Sequence, residues 1–145
     1  MYKHILIAVN FTEDDRLIED RAVKMHEFTQ AKLSLIHVIE PLPSIYGGEV
    51  YPISEEYMLP EVKLNEKATS MLKPIAEHLN IPAVNIATPS GKVSLEIIAY
   101  SDENNVDLIL MGSHGRHGLQ LLLGSTANAV LHHAKCDVLT VRVSD

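Results

Sequence analysis

VDLILMGSHGRHGLQLLLGST, residues 106–126, runs from an apolar strand at 106–111 through glycines 112, 115 and 118 into a Gly-Ser-Thr at 124–126 that opens a helix. Glycine can take positive φ and lets backbone N–H groups approach a ligand with no Cβ in the way. Ser125 and Thr126 put hydroxyls and unpaired N–H donors at a helix N-terminus, where the macrodipole favours an anion. A strand, a glycine turn and a helix start are the parts of a phosphate cradle on an α/β unit.

The chain around this segment repeats the same alternation. HILIAVNF, from His4 to Phe11, is a continuous aliphatic run of the kind a parallel strand buried on both faces shows. Thr12 with Asp15 three residues on is a weaker capping box, and Ile18, Ala22 and Met25 recur at helical spacing, which predicts a helix from Glu13 to Thr29. KLSLIHV, from Lys32 to Val38, supplies a second strand, stopped by Pro41 and Pro43. The proline- and glycine-rich stretch from Pro41 to Pro60 lacks periodicity and reads as a mobile loop or a lid.

Leu64, Ala68, Met71, Leu72, Ile75 and Leu79 mark an amphipathic helix ended before Pro82. A short third strand from Ala83 to Ala87, a turn at Pro89-Ser90-Gly91, and a helix from Val93 to Asn104 with Leu95, Ile98 and Ala99 on one side follow. After the fourth strand and the glycine segment come a helix from Ser125 to His133 and a fifth strand from Asp137 to Val143. This order, with right-handed crossovers, predicts a single-domain, Rossmann-like α/β fold over residues 1–145: a five-stranded parallel sheet of order 3-2-1-4-5 with helices on both faces.

Ligands of such sheets bind beyond the strand carboxyl ends, where the strand order reverses. That point falls between the first and fourth strands, at Ala8, Val9 and Asn10 on one side and Met111, Gly112 and Ser113 on the other. Asn10 can hydrogen-bond a ribose or base, or close an Asx-type turn. Arg116 can reach phosphate oxygens from the loop, or stand there as a solvated charge. No lysine follows Gly124, so this is not a P-loop, and the 112/115/118 spacing is not the dinucleotide fingerprint. Without that lysine, charge developing on a transferring phosphoryl group has less fixed compensation, which favours holding over transfer.

Composition narrows the alternatives. A formal charge of −7 argues against nonspecific nucleic-acid or anionic-membrane partners. Cys136 is the only cysteine, which excludes an intrachain disulfide framework and fits a reducing compartment. The apolar run from Ile5 to Val9 is too short for a signal sequence or a bilayer span, so the expectation is cytoplasmic. The eight histidines do not make a metal site by spacing: His114/His117 and His132/His133 lack an i, i+4 pairing with an acidic third ligand. His4 and His37 read as satisfied core or edge histidines. Ser113, His114 and Asp107 are too close along the chain to converge as a triad.

HILIAVNFT, LIHVIEP and MGSHGRHGLQLLLGSTANAVLHHAKCDVLTVRV together resemble the universal stress protein family over the whole chain. The resemblance implies phosphate contacts at Gly112, Gly115, Gly124, Ser125 and Thr126, adenine contacts at Ala8, Val38 and Met111, and a ribose contact at Asn10. Val9, Ser113, His114 and Arg116 complete the expected nucleotide-binding set, with ATP or another adenine nucleotide, with or without Mg2+, as the ligand.

Two departures from the family pattern stand out. The spacer between Gly115 and Gly124 is eight residues, where the nucleotide-binding branch has nine, and Asn10 stands where the family usually has Asp. The resemblance also implies a homodimer through the last strand, from Val138 to Val143, with Leu139, Val141 and Val143 near the contact. The resulting reading is a cytoplasmic, dimeric, nucleotide-binding stress-response regulator or protector. Its rivals are a nucleotide-independent dimeric interaction module and a slow ATP hydrolase.

Overall fold

The computed structural model describes residues 1–40, 61–113 and 123–142. The expected lid at 41–60, and His114, Gly115, Arg116, His117, Gly118 and Val143, lie outside the described residues. Five parallel strands, β1 (His4–Ala8), β2 (Lys32–Ile36), β3 (Ile86–Ala87), β4 (Leu108–Gly112) and β5 (Asp137–Val141), form one sheet in the order β3-β2-β1-β4-β5. The order is the expected 3-2-1-4-5. Helices α1 (Asp15–Thr29), α2 (Glu61–His78), α3 (Val93–Glu103) and α4 (Ser125–His133) connect the strands.

Strand alternation sorts the core into two layers. Ile5, Ile7 and Val9, with Leu33, Leu35, Leu108 and Leu110, face Ile18 and Ala22 of α1 and Leu72 and Ala76 of α2. Leu6 and Ala8, with Ile36, Val38, Ile109 and Met111, face Ile97 of α3 and Ala127 and Val130 of α4. Because β1 and β4 are apolar on both faces, their sequences are unbroken hydrophobic runs. Each fully buried aliphatic side chain contributes about 1.5–3 kcal/mol relative to exposure.

Several boundaries differ from the sequence reading, each for a local reason. β1 ends before Phe11 because Phe11 takes a left-handed φ of 59° and the Asn10 and Phe11 amides turn to the Asp15 carboxylate. Thr12 does not cap α1: the residue at the capping position is Asp14, and no side chain makes the cap bond. The third strand shortens to two residues because 83–85 forms a 3-10 turn, although pairing resumes from His37 N–H to Ala87 O at 3.1 Å and at the Ile39–Ser90 bridge. α3 buries Ser94, Ile97 and Ser101, leaving Leu95 59% exposed, so its inner face is not the one predicted. Val141 is buried in the α1/α2 layer and Leu139 is partly buried against that layer, which turns both toward the core. Among the described residues no helix is long and apolar enough to cross a membrane.

The amino end of β1 holds a buried histidine. His4 Nδ1 lies 3.0 Å from Asn104 O, and Nε2 lies 2.7 Å from Ser34 Oγ. A carbonyl only accepts, so Nδ1 carries the hydrogen and Nε2 accepts from the Ser34 hydroxyl. Burial lowers the His4 pKa against the opposing Asn104 carbonyl, with Lys32 lowering it further and Asp107 raising it. The unfolded chain therefore binds this proton first as pH falls, and folded stability is lost as pH drops through the ordinary histidine value. The stability advantage of the native protein over His4→Gln is predicted to shrink between about pH 7.5 and pH 5.5, measured by urea unfolding at each pH.

Candidate functional site

At the sheet's switch point the central ladder stops early, which marks the crevice expected of a doubly wound sheet. β1 and β4 pair from Ile5–Leu108 to Ile7–Leu110. The outer pairings continue further: Ala8 pairs with Ile36 and Val9 N–H reaches Ile36 O at 3.1 Å, while Gly112 pairs with Val141 and Ser113 N–H reaches Val141 O at 2.9 Å. Beyond this point β1 is bonded to β2 and β4 to β5. The gap between them is where a doubly wound sheet takes its ligand.

The side chains beneath it divide by strand parity. Ala8 of β1, Met111 of β4 and Val38, two residues beyond β2, lie on the α3/α4 face, where they pack with Ala127 and Val130. They are 9%, 6% and 5% exposed and form an apolar floor. Val9 points into the opposite layer, and its backbone N–H and C=O are bonded to Ile36 O and His37 Nδ1. The Val9 carbonyl accepts from Nδ1 at 2.9 Å, which sets the hydrogen of His37 on that nitrogen.

On the β1 side, Asn10 is half-buried and donates its backbone N–H to Asp15 Oδ1 at 3.3 Å. Phe11 N–H donates to Asp15 Oδ2 at 2.8 Å, and the Phe11 ring lies on His37 with centroids 4.0 Å apart. Asp15 is 5% exposed. Burial raises its pKa, opposed by the amides of Asn10, Phe11 and Thr12. The sequence reading assigned Asp15 only to a capping box; the available signal was an acidic residue on the same helical stripe as Ile18 and Ala22.

On the β4 side, Gly124 N–H donates to Ser113 O at 2.7 Å and pins together the two ends of the glycine segment. Gly124 precedes α4 with φ −61° and ψ 154°, and its carbonyl accepts from Asn128 N–H at 2.9 Å. Its own N–H is therefore committed, and the first-turn amides left without intrahelical partners are those of Ser125, Thr126 and Ala127. Ser125 is exposed and Thr126 half-buried. Gly112 does not use the positive φ open to a glycine: it continues β4, and among the described glycines Gly91 takes a positive φ, 151°. The first turn of α4 carries no acidic residue.

Other features lie away from the crevice. A cavity of about 190 Å³ is lined by His26, Lys32, Leu33, Leu79, Asn80 and Pro82 among others, at the amino end of β2. It sits at the opposite end of the sheet and is smaller than the roughly 300 Å³ at which small-molecule sites begin. Cys136 is half-buried, and burial pushes its thiol pKa up, away from nucleophilic thiolate character. Among the described residues, no group of three or more His, Cys, Asp and Glu side chains is placed to hold a metal ion.

Comparison with known proteins adds the following. A family model described as "Universal stress protein family" matches residues 1–142. Universal stress protein A homolog 1 of Coxiella burnetii is 40% identical over 141 residues, covering 97% of this chain and 96% of that one. The solved structure of hypothetical protein MJ0577 superposes with a TM-score of 0.78 at 24% identity, covering 100% of this chain and 99% of that one. A universal stress protein solved in complex with cAMP superposes with a TM-score of 0.66 at 17% identity, covering 97% of each chain. At these identities the two structural matches establish the shared fold.

The floor of the crevice is also core. Truncating Met111→Ala is predicted to cost about 2–5 kcal/mol of folding stability, read as a lowered urea midpoint with unchanged m-value.

Proposed function

This chain belongs to the universal stress protein family, and on that premise we propose that it binds an adenine nucleotide, ATP foremost, at the crevice between β1 and β4. The observation that carries the reading is the convergence there of two unlike surfaces. Ala8, Val38 and Met111 offer an apolar floor suited to a purine, while the first turn of α4 offers amides and the hydroxyls of Ser125 and Thr126 to phosphate. In this reading Asn10, at the tip of β1, is the ribose contact. A relative solved with cAMP supports the choice of an adenine nucleotide.

In this reading the protein is a cytoplasmic, dimeric regulator or protector whose nucleotide shifts the population of surfaces offered to partners. β5 lies at the sheet edge, and an uncovered edge strand is an association site that a two-fold dimer closes on both subunits at once. With Leu139 and Val141 turned inward, that contact falls to the strand backbone. The absence of a lysine after Gly124 favours holding over hydrolysis, so ATPase activity is the weaker reading.

Titration calorimetry with ATP and with adenosine tests the proposal. Saturable ATP binding is expected, and Ser125→Ala/Thr126→Val is predicted to weaken ATP about tenfold while leaving adenosine within about twofold, since only phosphate is lost from the contact. No saturable binding at millimolar ATP, with and without Mg2+, overturns it and leaves the nucleotide-independent interaction module.

A further inference from the structure

The turn that follows β1 is held in an unfavourable conformation by a residue that the nucleotide reading does not use. Phe11 has φ 59°, in the left-handed region that is unfavourable for an L-residue and in which a bulky aromatic is an outlier. Three contacts hold it there. Its N–H is bonded to Asp15 Oδ2 at 2.8 Å, its ring rests on His37 at 4.0 Å, and His37 is fixed by Val9 O at 2.9 Å. Strain of this kind persists where the surroundings over-determine it, and ligand clamps are a common place for it.

The Asp15 side chain is directed there by the helix. Asp15, Ile18 and Ala22 are the buried residues of α1 and form one stripe, so the packing that seats Ile18 and Ala22 on the sheet also aims Asp15 at the end of β1. Consecutive backbone N–H groups converging on one point make an anion-binding nest. Here the anion is the chain's own carboxylate, which receives the amides of Asn10 and Phe11.

We propose that Asp15 is a positioning residue: by filling the amide nest at the tip of β1, it locks Asn10 in the orientation that reads the ribose hydroxyls of the bound nucleotide. The inference rests on the nucleotide reading above. It adds a division of labour, in which the β1–α1 turn is closed to phosphate by an internal carboxylate and serves the sugar, leaving the phosphates to α4.

The test compares ATP with 2′-deoxy-ATP and 3′-deoxy-ATP by calorimetry on the native protein, Asn10→Ala, Asp15→Ala and Asp15→Asn. The native protein is expected to prefer ATP over at least one deoxy analogue by about tenfold, the scale of one hydrogen bond to a buried polar group. Asp15→Ala should erase that preference as fully as Asn10→Ala does. Asp15→Asn, which preserves size and keeps one accepting oxygen, should erase it in part; it carries the test if Asp15→Ala does not fold. Equal weakening of ATP and both analogues in the Asp15 variants means a merely structural role and overturns the proposal. So does an unchanged preference, or a native protein indifferent to the ribose hydroxyls. A native protein that binds none of the three nucleotides overturns the nucleotide reading itself, a result distinguishable from failure of the Asp15 role alone.

Discussion

Where the β1–β4 ladder ends, at Ile7 and Leu110, decides what the rest of the molecule can do. Both strands are buried on both faces, so every amide beyond that point needs a partner away from water. β1 finds its partners on β2 and in Asp15; β4 finds them on β5. From this pairing the two strand tips are held by their outer neighbours on either side of the switch point. A crevice there is a consequence of parallel pairing in the order 3-2-1-4-5, and the side chains around it inherit their directions from strand parity.

The same device terminates β1 at both ends. At its start the Asp107 carboxylate accepts Lys3 N–H at 2.8 Å and His4 N–H at 3.0 Å; at its close Asp15 accepts Asn10 and Phe11. In each case a carboxylate from the neighbouring chain segment takes two consecutive amides that the sheet leaves over. Asp107 is only half-buried. Asp15 is buried, strains Phe11 and stands beside the crevice, so the same chemistry acquires a different consequence.

The strands, the sheet order and the bounds of α4 were legible because unbroken β-branched runs, glycine turns and a Gly-Ser-Thr helix start are local signals. That Ala8, Val38 and Met111 meet on one face follows from parity once the strands are placed, but a strand buried on both faces shows no alternation from which to choose that face. The left-handed Phe11 and the Phe11–His37 stack were not legible, and Asp15 showed only as an acidic residue on the apolar stripe of α1, since the role of each depends on contacts made only when α1 packs on the sheet. The outward turn of Leu95 has the same origin: α3 buries two serines beside Ile97, and small residues that permit close packing look like surface positions in a sequence.

The helices that follow the two switch-point strands, α1 after β1 and α4 after β4, begin at the carboxyl end of the sheet, and their first turns differ in charge. α1 begins with Asp15, and Glu13 and Asp14 precede it; α4 begins with Ser125 and Thr126 and has no acidic residue in its first turn. Both macrodipoles favour an anion, but at α1 that preference is met by the chain's own carboxylates, which repel a second anion at short range. In a protein of net charge −7, the end of α4 is therefore distinguished by what it lacks. An anionic group brought between the two strand tips would meet repulsion on the β1 side and the first-turn amides of α4 on the β4 side.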